Sequence, residues 1–208
     1  MKSLFIVFEG IDGSGKSTQI NLLKQKFENR GLGVLIESEP TNNPVGEMIQ
    51  DVMTGKITLA NESIAALFLA DRLEHITNPI NGLNEKLANG NNIIASRYYF
   101  SSYAFQSDAV PLKWLVESNE LCKSLLKADL TFYLNIDPEQ SYERVKKRGK
   151  QLELFETREK LIKTHNQYLK AFDLYGHDEN IFIINAGNSI QKIHSDIWSI
   201  VKSKLNLE

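Results

Sequence analysis

Two patterns of apolar residues alternate along the chain. Short unbroken apolar runs predict buried strands, and longer stretches with an apolar residue at every third or fourth position predict helices. The predicted strands cover residues 4–8, 34–37, 92–96, 130–136 and 181–184. The predicted helices cover residues 18–27, 45–54, 62–88, 101–105, 112–126, 138–147, 153–174 and 190–205.

The alternation of strands with helices indicates an α/β fold. It predicts three layers, with a five-stranded parallel sheet, right-handed crossovers and helices on both faces. Apolar and polar residues do not alternate along the predicted strands, as expected for a sheet that helices cover on both faces. No repeat or change of composition marks a boundary, so we expect one domain over residues 1–208. Ligands bind such sheets at the carboxyl ends of the strands. We therefore expect the four segments at these ends to meet at one site, namely residues 9–18, 38–42, 96–106 and 135–138.

A glycine-rich loop follows the first predicted strand. Residues 10–17 read Gly-Ile-Asp-Gly-Ser-Gly-Lys-Ser, which matches the phosphate-loop pattern in the strand–loop–helix context that this motif requires. Backbone N–H groups would bind the phosphates of ATP, Lys16 would reach the β- and γ-phosphates, and Ser17 would ligate Mg²⁺. We therefore expect a P-loop NTPase-type fold. The predicted ATP-binding residues are Gly10, Ile11, Asp12, Gly13, Ser14, Gly15, Lys16, Ser17 and Thr18.

Composition and charge exclude several other classes of protein. The chain has 208 residues, of which 42% are hydrophobic and 24% charged, as in an ordinary globular protein. The net charge of −2 argues against nucleic acid as a partner. A single cysteine, Cys122, excludes a disulfide framework. We expect no membrane span and no signal peptide, and hence a cytoplasmic location, because no run of 18 apolar residues occurs and the first strand starts at once.

An aromatic residue and an arginine share one face of the predicted helix 62–88. Phe68 and Arg72 are four positions apart, so a nucleobase could stack on the ring and hydrogen-bond to the guanidinium. The alternative is a core phenylalanine beside a surface arginine that pairs with Asp71 or Glu74. The spacing leaves both interpretations open.

A second arginine follows the third predicted strand. Arg97 leaves this strand directly into the expected cleft, where a bidentate grip on a phosphate is favoured. Ser101, Ser102, Tyr103 and Gln106 come next, and their polar groups could either read the edge of a base or cap a helix.

A basic segment follows the fourth predicted strand and its helix. Residues 144–150 read Arg-Val-Lys-Lys-Arg-Gly-Lys, with Arg144 and Arg148 four positions apart. Such a segment could close over transferring phosphates as a short lid, which we place at about residues 144–153. A solvated helix face is the alternative.

Taken together, these segments resemble the thymidylate kinase family of P-loop nucleoside monophosphate kinases. The resemblance spans nearly the whole chain, and it rests on residues 8–19, 39–41, 68–72, 96–98 and 101–106 and on the basic stretch from Arg144. It implies transfer of the γ-phosphoryl group of ATP to dTMP, with Mg²⁺ as the cofactor. It also implies a homodimer, and it places the turn at residues 185–187 near adenine.

The resemblance implies a role for each matching residue. Phe68 would stack on thymine, Arg72 would hydrogen-bond to a base carbonyl, and Arg97 would hold the acceptor phosphate. Phe105 would lie against the deoxyribose, and Asp12 near the sugar or the metal-bound water. The implied substrate-binding residues are Glu39, Pro40, Phe68, Arg72, Arg97, Ser102, Phe105 and Gln106. The implied catalytic residues are Lys16, Arg97, Arg144, Arg148 and Asp12.

The sequence departs from the family pattern in three places, at Ser96, at residues 41–44 and at Gln50. Ser96 stands where many members have an aspartate that organises the lysine or the Mg²⁺ shell, and Glu9 or Asp12 could substitute for it. Residues 41–44 read Thr-Asn-Asn-Pro where many bacterial members have Gly-Gly, and Gln50 stands where many have an arginine near the acceptor phosphate. These departures leave dUMP and UMP open as acceptors.

Two other functions stay open from the sequence. A kinase for a deoxynucleoside would need a general base near the 5′-hydroxyl, for which Glu9 and Glu39 are the candidates. A regulatory P-loop ATPase would bind nucleotide without transferring a phosphate. The Asn-Lys-x-Asp motif of guanine-specific switch proteins does not occur in the chain.

Overall fold

The computed structural model describes residues 3–147 and 156–207. Within them the strands are β1 (Phe5–Glu9), β2 (Val34–Ser38), β3 (Asn92–Ser96), β4 (Leu130–Asn135) and β5 (Ile181–Asn185). The helices are α1 (Lys16–Glu28), α2 (Pro44–Met53), α3 (Asn61–Thr77), α4 (Leu83–Ala88), α5 (Tyr99–Phe105), α6 (Leu112–Leu125), α7 (Pro138–Lys146), α8 (Arg158–Tyr175) and α9 (Ile190–Lys204).

The strands form a single parallel sheet in the order β2-β3-β1-β4-β5. Helices flank this sheet, which confirms the predicted α/β fold of the P-loop NTPase type. All of β1 is buried, because it has a strand on each side. The register places Phe8 beside Ser96 of β3 and Phe132 of β4. The carboxyl ends of the three central strands therefore lie together, and the loops that follow them meet.

The two edge strands are less buried than their apolar sequences predict. Ile36 of β2 is 38% exposed and Ile183 of β5 is 56% exposed. Within the described residues each of these strands has a neighbouring strand on one side only. Their β-branched residues therefore reflect the preference for a pleated conformation as well as burial.

The prediction of one helix over residues 62–88 is wrong. Residues 78–82 separate α3 from α4. Pro79 has no backbone N–H to continue α3, and it restricts Asn78 to an extended conformation with ψ of +124°. The Asn78 side chain then accepts hydrogen bonds from the backbone N–H groups two and three positions further on.

The predicted helix 153–174 also begins later than expected. Residues 153–155 lie outside the described residues, and α8 starts only at Arg158. The Thr157 hydroxyl accepts a hydrogen bond from the Lys160 N–H and forms the N-cap. Of the helices in the described part of the chain, none combines the length and the apolar character needed to cross a bilayer.

Candidate active site

The loop between β1 and α1 has the geometry of a phosphate loop. Gly10 (φ +141°) and Gly13 (φ +82°) adopt conformations that other residues rarely reach, and a Cβ atom on Gly13 would lie 2.6 Å from the Ser141 carbonyl oxygen. Lys16 folds back over the loop, with Nζ 2.8 Å from the Gly10 carbonyl oxygen and 3.1 Å from that of Ile11. The loop is therefore held in one shape, with the lysine at its mouth.

This loop forms one wall of a cavity of about 630 Å³, which we call the first cavity. Ser17 and Thr18 are exposed to it at the start of α1, where the helix dipole favours an anion. The Ser14 hydroxyl is buried and has no hydrogen-bond partner among the described residues. The remaining wall is formed by Asp12, Gly13, Gly15, Lys16, Gln19, Ser96, Arg97, Arg144, Asn188, Ile190 and Ile193.

Arg144 closes one side of the first cavity. Its Nη1 lies 3.4 Å from the Gly13 carbonyl oxygen, and its Nη2 lies 3.3 Å from that of Ala186. Arg144 therefore connects the phosphate loop with the turn that follows β5. The second arginine of the predicted lid, Arg148, lies outside the described residues, as do most of residues 144–153.

A second cavity of about 400 Å³ lies beside the first. Phe68 from α3 and Phe105 from α5 give it aromatic surfaces. The Gln106 side chain is buried in its wall, and Oε1 has no hydrogen-bond partner among the described residues. The predicted substrate-binding residues that line it are Glu39, Pro40, Phe68, Arg97, Ser102, Phe105 and Gln106. Ser38 lies in the segment 38–42 expected at this edge of the sheet, whereas the sequence did not predict Met53 or Thr54 as lining residues.

Arg72 lies beneath the second cavity and is only 1% exposed. Its Nε donates to Glu39 Oε2 at 2.8 Å, and its Nη1 donates to Ser102 Oγ at 3.0 Å and to Asn119 Oδ1 at 2.6 Å. The alternative of a surface arginine paired with a neighbour on its own helix is therefore wrong. Arg72 fixes two residues that line the cavity.

The loop after β2 is attached to the two helices that follow it. Asp71 of α3 is buried, and it accepts hydrogen bonds from the Thr41 backbone N–H at 2.9 Å and from the Thr41 hydroxyl at 2.5 Å. The Gln50 amide of α2 donates to the Thr41 carbonyl oxygen at 2.8 Å. Two of the positions that depart from the family pattern thus hold this loop in place.

Glu9 is fully buried and is not among the residues that line either cavity. It accepts hydrogen bonds from the Tyr98 N–H at 2.9 Å, from Ser101 Oγ at 2.6 Å and from the Tyr168 hydroxyl at 2.8 Å. Burial raises the pKa of Glu9, although these hydrogen bonds and the charge of Arg97 oppose the shift. Glu9 therefore braces the start of α5, and the structure does not bring it to a position where it could ligate a metal or act as a base.

Glu39, the other candidate base, is paired with two cations. Arg72 lies 2.7 Å from its Oε2, and His75 Nδ1 lies 3.3 Å from its Oε1. The second nitrogen of His75 lies 3.2 Å from Glu37 Oε2. Burial lowers the pKa of His75, but the hydrogen bonds with the two carboxylates outweigh burial and raise it to about 9.

Among the described residues, Asp12 and Arg97 are the two that line both cavities. Arg97 Nη2 donates to Asp12 Oδ1 at 2.5 Å, and Arg97 Cζ lies 4.5 Å from the centre of the Phe105 ring. Burial lowers the pKa of Arg97, but Asp12, Tyr168 and Glu9 together outweigh burial and raise it, so the guanidinium stays charged. A planar cation at this junction can hold a phosphate between the two cavities.

Sequence reasoning missed Tyr168 of α8. Its hydroxyl lies 2.8 Å from Glu9 Oε2, 2.8 Å from Ser101 Oγ and 3.4 Å from Arg97 Nη1. A tyrosine at an apolar position of a periodic helix has the pattern of any core residue, so the sequence carries no signal for this contact.

Comparison with known proteins agrees with this geometry. A relative from Pyrococcus horikoshii is 36% identical over 99% of this chain and 98% of its own length. The relative from Thermococcus kodakarensis is 35% identical over 99% of this chain and 100% of its length, and that from Methanocaldococcus jannaschii is 34% identical over 97% of both. Each of the three is named "Probable thymidylate kinase".

Together with the names of these relatives, two cavities that meet at an arginine beside a phosphate loop indicate an ATP-dependent P-loop kinase whose acceptor is a nucleoside monophosphate. The family model described as thymidylate kinase matches residues 8–197. The chain belongs to the thymidylate kinase family, which confirms the resemblance predicted from its sequence.

Proposed function

We propose that this protein transfers the γ-phosphoryl group of ATP to dTMP, giving ADP and dTDP. The observation that carries the proposal is the junction of the two cavities at Asp12 and Arg97. ATP would occupy the first cavity and dTMP the second, so that the γ-phosphate and the acceptor phosphate meet at this junction. Membership of the thymidylate kinase family supports the same reaction.

An acceptor that already carries a 5′-phosphate needs no general base. A phosphate oxygen of dTMP attacks the γ-phosphorus of ATP, the bond to the β,γ-bridging oxygen breaks, and the electron pair stays on ADP. The protein has to align two polyanions and neutralise the charge that spreads over the transferred group. Lys16, Arg97 and Arg144 all line the first cavity and can supply that charge.

The residues around the phosphate loop fit Mg²⁺. In phosphate-transfer sites this ion takes only one or two protein ligands, because substrate phosphates and water complete its shell. The Ser17 hydroxyl at the exposed start of α1 lines the same cavity as Asp12 and Ser96. Ser17 would hold the ion, and Asp12 could accept hydrogen bonds from its water molecules. When bound, the ion would neutralise charge on the phosphates.

The second cavity supports a pyrimidine base with an N–H group on its Watson–Crick edge. Phe68 offers an aromatic face for stacking. The buried Gln106 Oε1 lacks a partner among the described residues, and a ligand N–H would satisfy it. Thymine and uracil carry this N3–H group, whereas cytosine carries an acceptor there. Phe105 lies beside Arg97, where the sugar of the acceptor would pass.

A second charge from the lid belongs to the same proposal. Positions 10–17 of the phosphate loop contain no arginine. The guanidinium groups of Arg144 and Arg148 would therefore neutralise the charge on the transferred γ-phosphoryl group. The variant Arg148→Ala is expected to lower turnover with little change in acceptor binding. Equal turnover of the variant would contradict a role for Arg148.

An acceptor panel tests the proposed function. ADP release is measured with dTMP, dUMP, UMP and thymidine offered separately at a fixed concentration of Mg-ATP. We expect the highest kcat/KM with dTMP, and we expect Phe68→Ala to raise the KM for dTMP while the KM for ATP is kept. A higher kcat/KM with UMP or dUMP than with dTMP would mean that this nucleotide, and not dTMP, is the preferred acceptor. ADP release that does not depend on any acceptor would indicate a regulatory ATPase instead.

We also propose that two copies of the chain form a homodimer through α6. Trp114, Leu121 and Leu125 are exposed and lie on one face of this helix. Protein interfaces bury exposed apolar stripes of this kind. In sedimentation equilibrium, Leu121→Glu should be monomeric, whereas Ile80→Glu, at an equally apolar exposed position elsewhere, should stay dimeric. A monomeric wild-type protein would contradict the proposal.

The cytoplasmic location and the one-domain organisation stay predictions.

A further inference from the structure

A third cavity, of about 250 Å³, lies between α5, α6 and the loop that follows α8. It is separate from the nucleotide cavities, because a different set of α5 residues lines it. Tyr99, Phe100 and Tyr103 face this cavity, whereas Ser101, Ser102 and Phe105 line the second cavity. The reaction proposed above uses none of the residues of the third cavity.

The unusual group in this cavity is the carboxylate of Glu179. The side chain is only 1% exposed. Its Oε1 accepts a hydrogen bond from the Tyr99 hydroxyl at 2.9 Å and lies 3.2 Å from Lys123 Nζ. Its Oε2 is buried and has no hydrogen-bond partner among the described residues. Leaving a buried carboxylate oxygen without a donor is costly, so this atom points to a ligand that donates an N–H or O–H group.

The walls of the cavity favour a cation as that ligand. The rings of Tyr99, Phe100 and Tyr103 form a cluster, with centres 5.2–5.9 Å apart. Aromatic faces attract organic cations through their quadrupole, and the apolar rings suit an alkyl chain.

Charge leads to the same conclusion. Three carboxylates line the cavity, from Glu120, Asp178 and Glu179, and the ammonium group of Lys123 lines it with them. Lys123 Nζ lies 3.0 Å from Asp178 and 3.2 Å from Glu179, and Lys127 Nζ, outside the lining, lies 3.3 Å from Asp178 Oδ2. Three carboxylates against two ammonium groups leave one negative charge in excess among these described residues, which a bound cation would offset.

We propose that the third cavity binds a small organic cation with a primary ammonium group. The ammonium group donates to Glu179 Oε2, and the alkyl chain packs against the rings of Tyr99 and Tyr103. The site is separate from the proposed kinase reaction, because among the described residues it shares no lining residue with the nucleotide cavities.

Three probe molecules test the chemistry on the unmodified protein. Binding of n-butylammonium, 1-butanol and tetramethylammonium is measured by titration of the aromatic NMR signals at constant ionic strength. We expect saturable binding of n-butylammonium with a Kd of about 1–10 mM, which is what a few non-hydrogen atoms can supply. Tetramethylammonium, a cation without an N–H group, should bind at least about tenfold more weakly, a difference of ~1.4 kcal/mol. The neutral 1-butanol should not saturate.

A matched pair of variants tests the residue. Glu179→Gln keeps the size of the side chain but removes its charge, and it should weaken n-butylammonium binding by about tenfold or more. Glu117→Gln, at an exposed position on α6 that pairs with Lys113 at 3.6 Å, should leave binding unchanged. Thermal unfolding is followed for both variants.

Three results would overturn the proposal: no saturable binding of n-butylammonium to the unmodified protein, equal binding of 1-butanol, or unchanged affinity in a folded Glu179→Gln variant. If Glu179→Gln does not fold, the three probe molecules on the unmodified protein decide the question.

Discussion

The guanidinium of Arg97 donates a hydrogen bond to the carboxylate of Asp12, with 2.5 Å between Nη2 and Oδ1. Arg97 comes from the end of β3 and Asp12 from the phosphate loop, and Arg97 Nη1 also lies 3.2 Å from the Gly10 carbonyl oxygen. The backbone of Arg97 has φ of +73°, a conformation that costs energy for a residue other than glycine. The phosphate loop thus fixes the direction of the arginine that would hold the acceptor.

Removing this guanidinium should damage acceptor handling more than ATP binding. We expect Arg97→Ala to lower kcat/KM for dTMP by about 10²–10³-fold, the usual cost of losing one prearranged charge-stabilising donor. Arg97→Lys keeps the charge but loses the planar fork, so its kcat/KM should fall between those of the wild type and the alanine variant. Steady-state kinetics with dTMP, together with the Kd for ATP, measure both effects. An unchanged KM for dTMP in Arg97→Ala would mean that the acceptor phosphate binds elsewhere.

The Tyr168 hydroxyl should position Arg97 and α5 without touching substrate. In Tyr168→Phe, Glu9 and Ser101 lose a hydrogen-bond partner, which should lower the free energy of unfolding by about 1–3 kcal/mol. Tyr133→Phe is the control, because within the described part of the chain that hydroxyl bonds only to His165, at 3.1 Å. We expect kcat to fall in Tyr168→Phe and to stay near the wild-type value in Tyr133→Phe. Equal values of kcat in the two variants would assign Tyr168 a purely structural part.

Arg72 should contribute strongly to stability. Arg72→Ala leaves the Glu39 carboxylate buried without its guanidinium partner, and we expect a loss of about 3–5 kcal/mol in the free energy of unfolding. Lys86→Ala breaks an ion pair with Glu37 that is partly exposed, so it should cost about 1 kcal/mol or less. Urea unfolding of both variants measures the difference. A stable Arg72→Ala variant that binds dTMP weakly would instead favour the base contact that the family resemblance implies for Arg72.

The raised pKa of His75 predicts that the folded protein loses stability at alkaline pH. Its pKa is about 9 in the folded protein, against an ordinary value of 6.5, so folding favours the protonated imidazole. The stabilisation is complete below about pH 6.5 and is lost as the pH rises through 9, and it amounts to at most ~3 kcal/mol. Urea unfolding at several pH values compares the wild type with His75→Gln. The stability difference between the two proteins should shrink as the pH rises, and a constant difference would contradict the assignment.

The elements that carry local signals were predictable from the sequence. The phosphate loop is specified within residues 10–17, and the apolar runs predicted each strand to within one residue at either end. The break after α3 also had a signal, since Pro79 cannot continue a helix, but the apolar spacing on either side of it favoured one long helix.

The direction of the Arg72 side chain could not be predicted in this way. Its partners Glu39 and Asn119 are 33 and 47 positions away along the chain. Helical spacing places Arg72 on the same face as Phe68, but it does not show that the buried carboxylate of Glu39 lies next to that face. The contact of Tyr168 with Glu9 joins residues 159 positions apart, and only the fold brings them together.

The attachment of Thr41 to Asp71 and Gln50 has a consequence for selectivity. Phe68 lies on the same helix as Asp71, and Pro40 is the neighbour of Thr41, so the ring and the proline belong to one rigid frame. Both residues line the second cavity, and these hydrogen bonds hold the segment that carries Pro40 against the helix that carries Phe68. We expect the space between Phe68 and Pro40 to exclude a bicyclic purine by its size alone, without a conformational change.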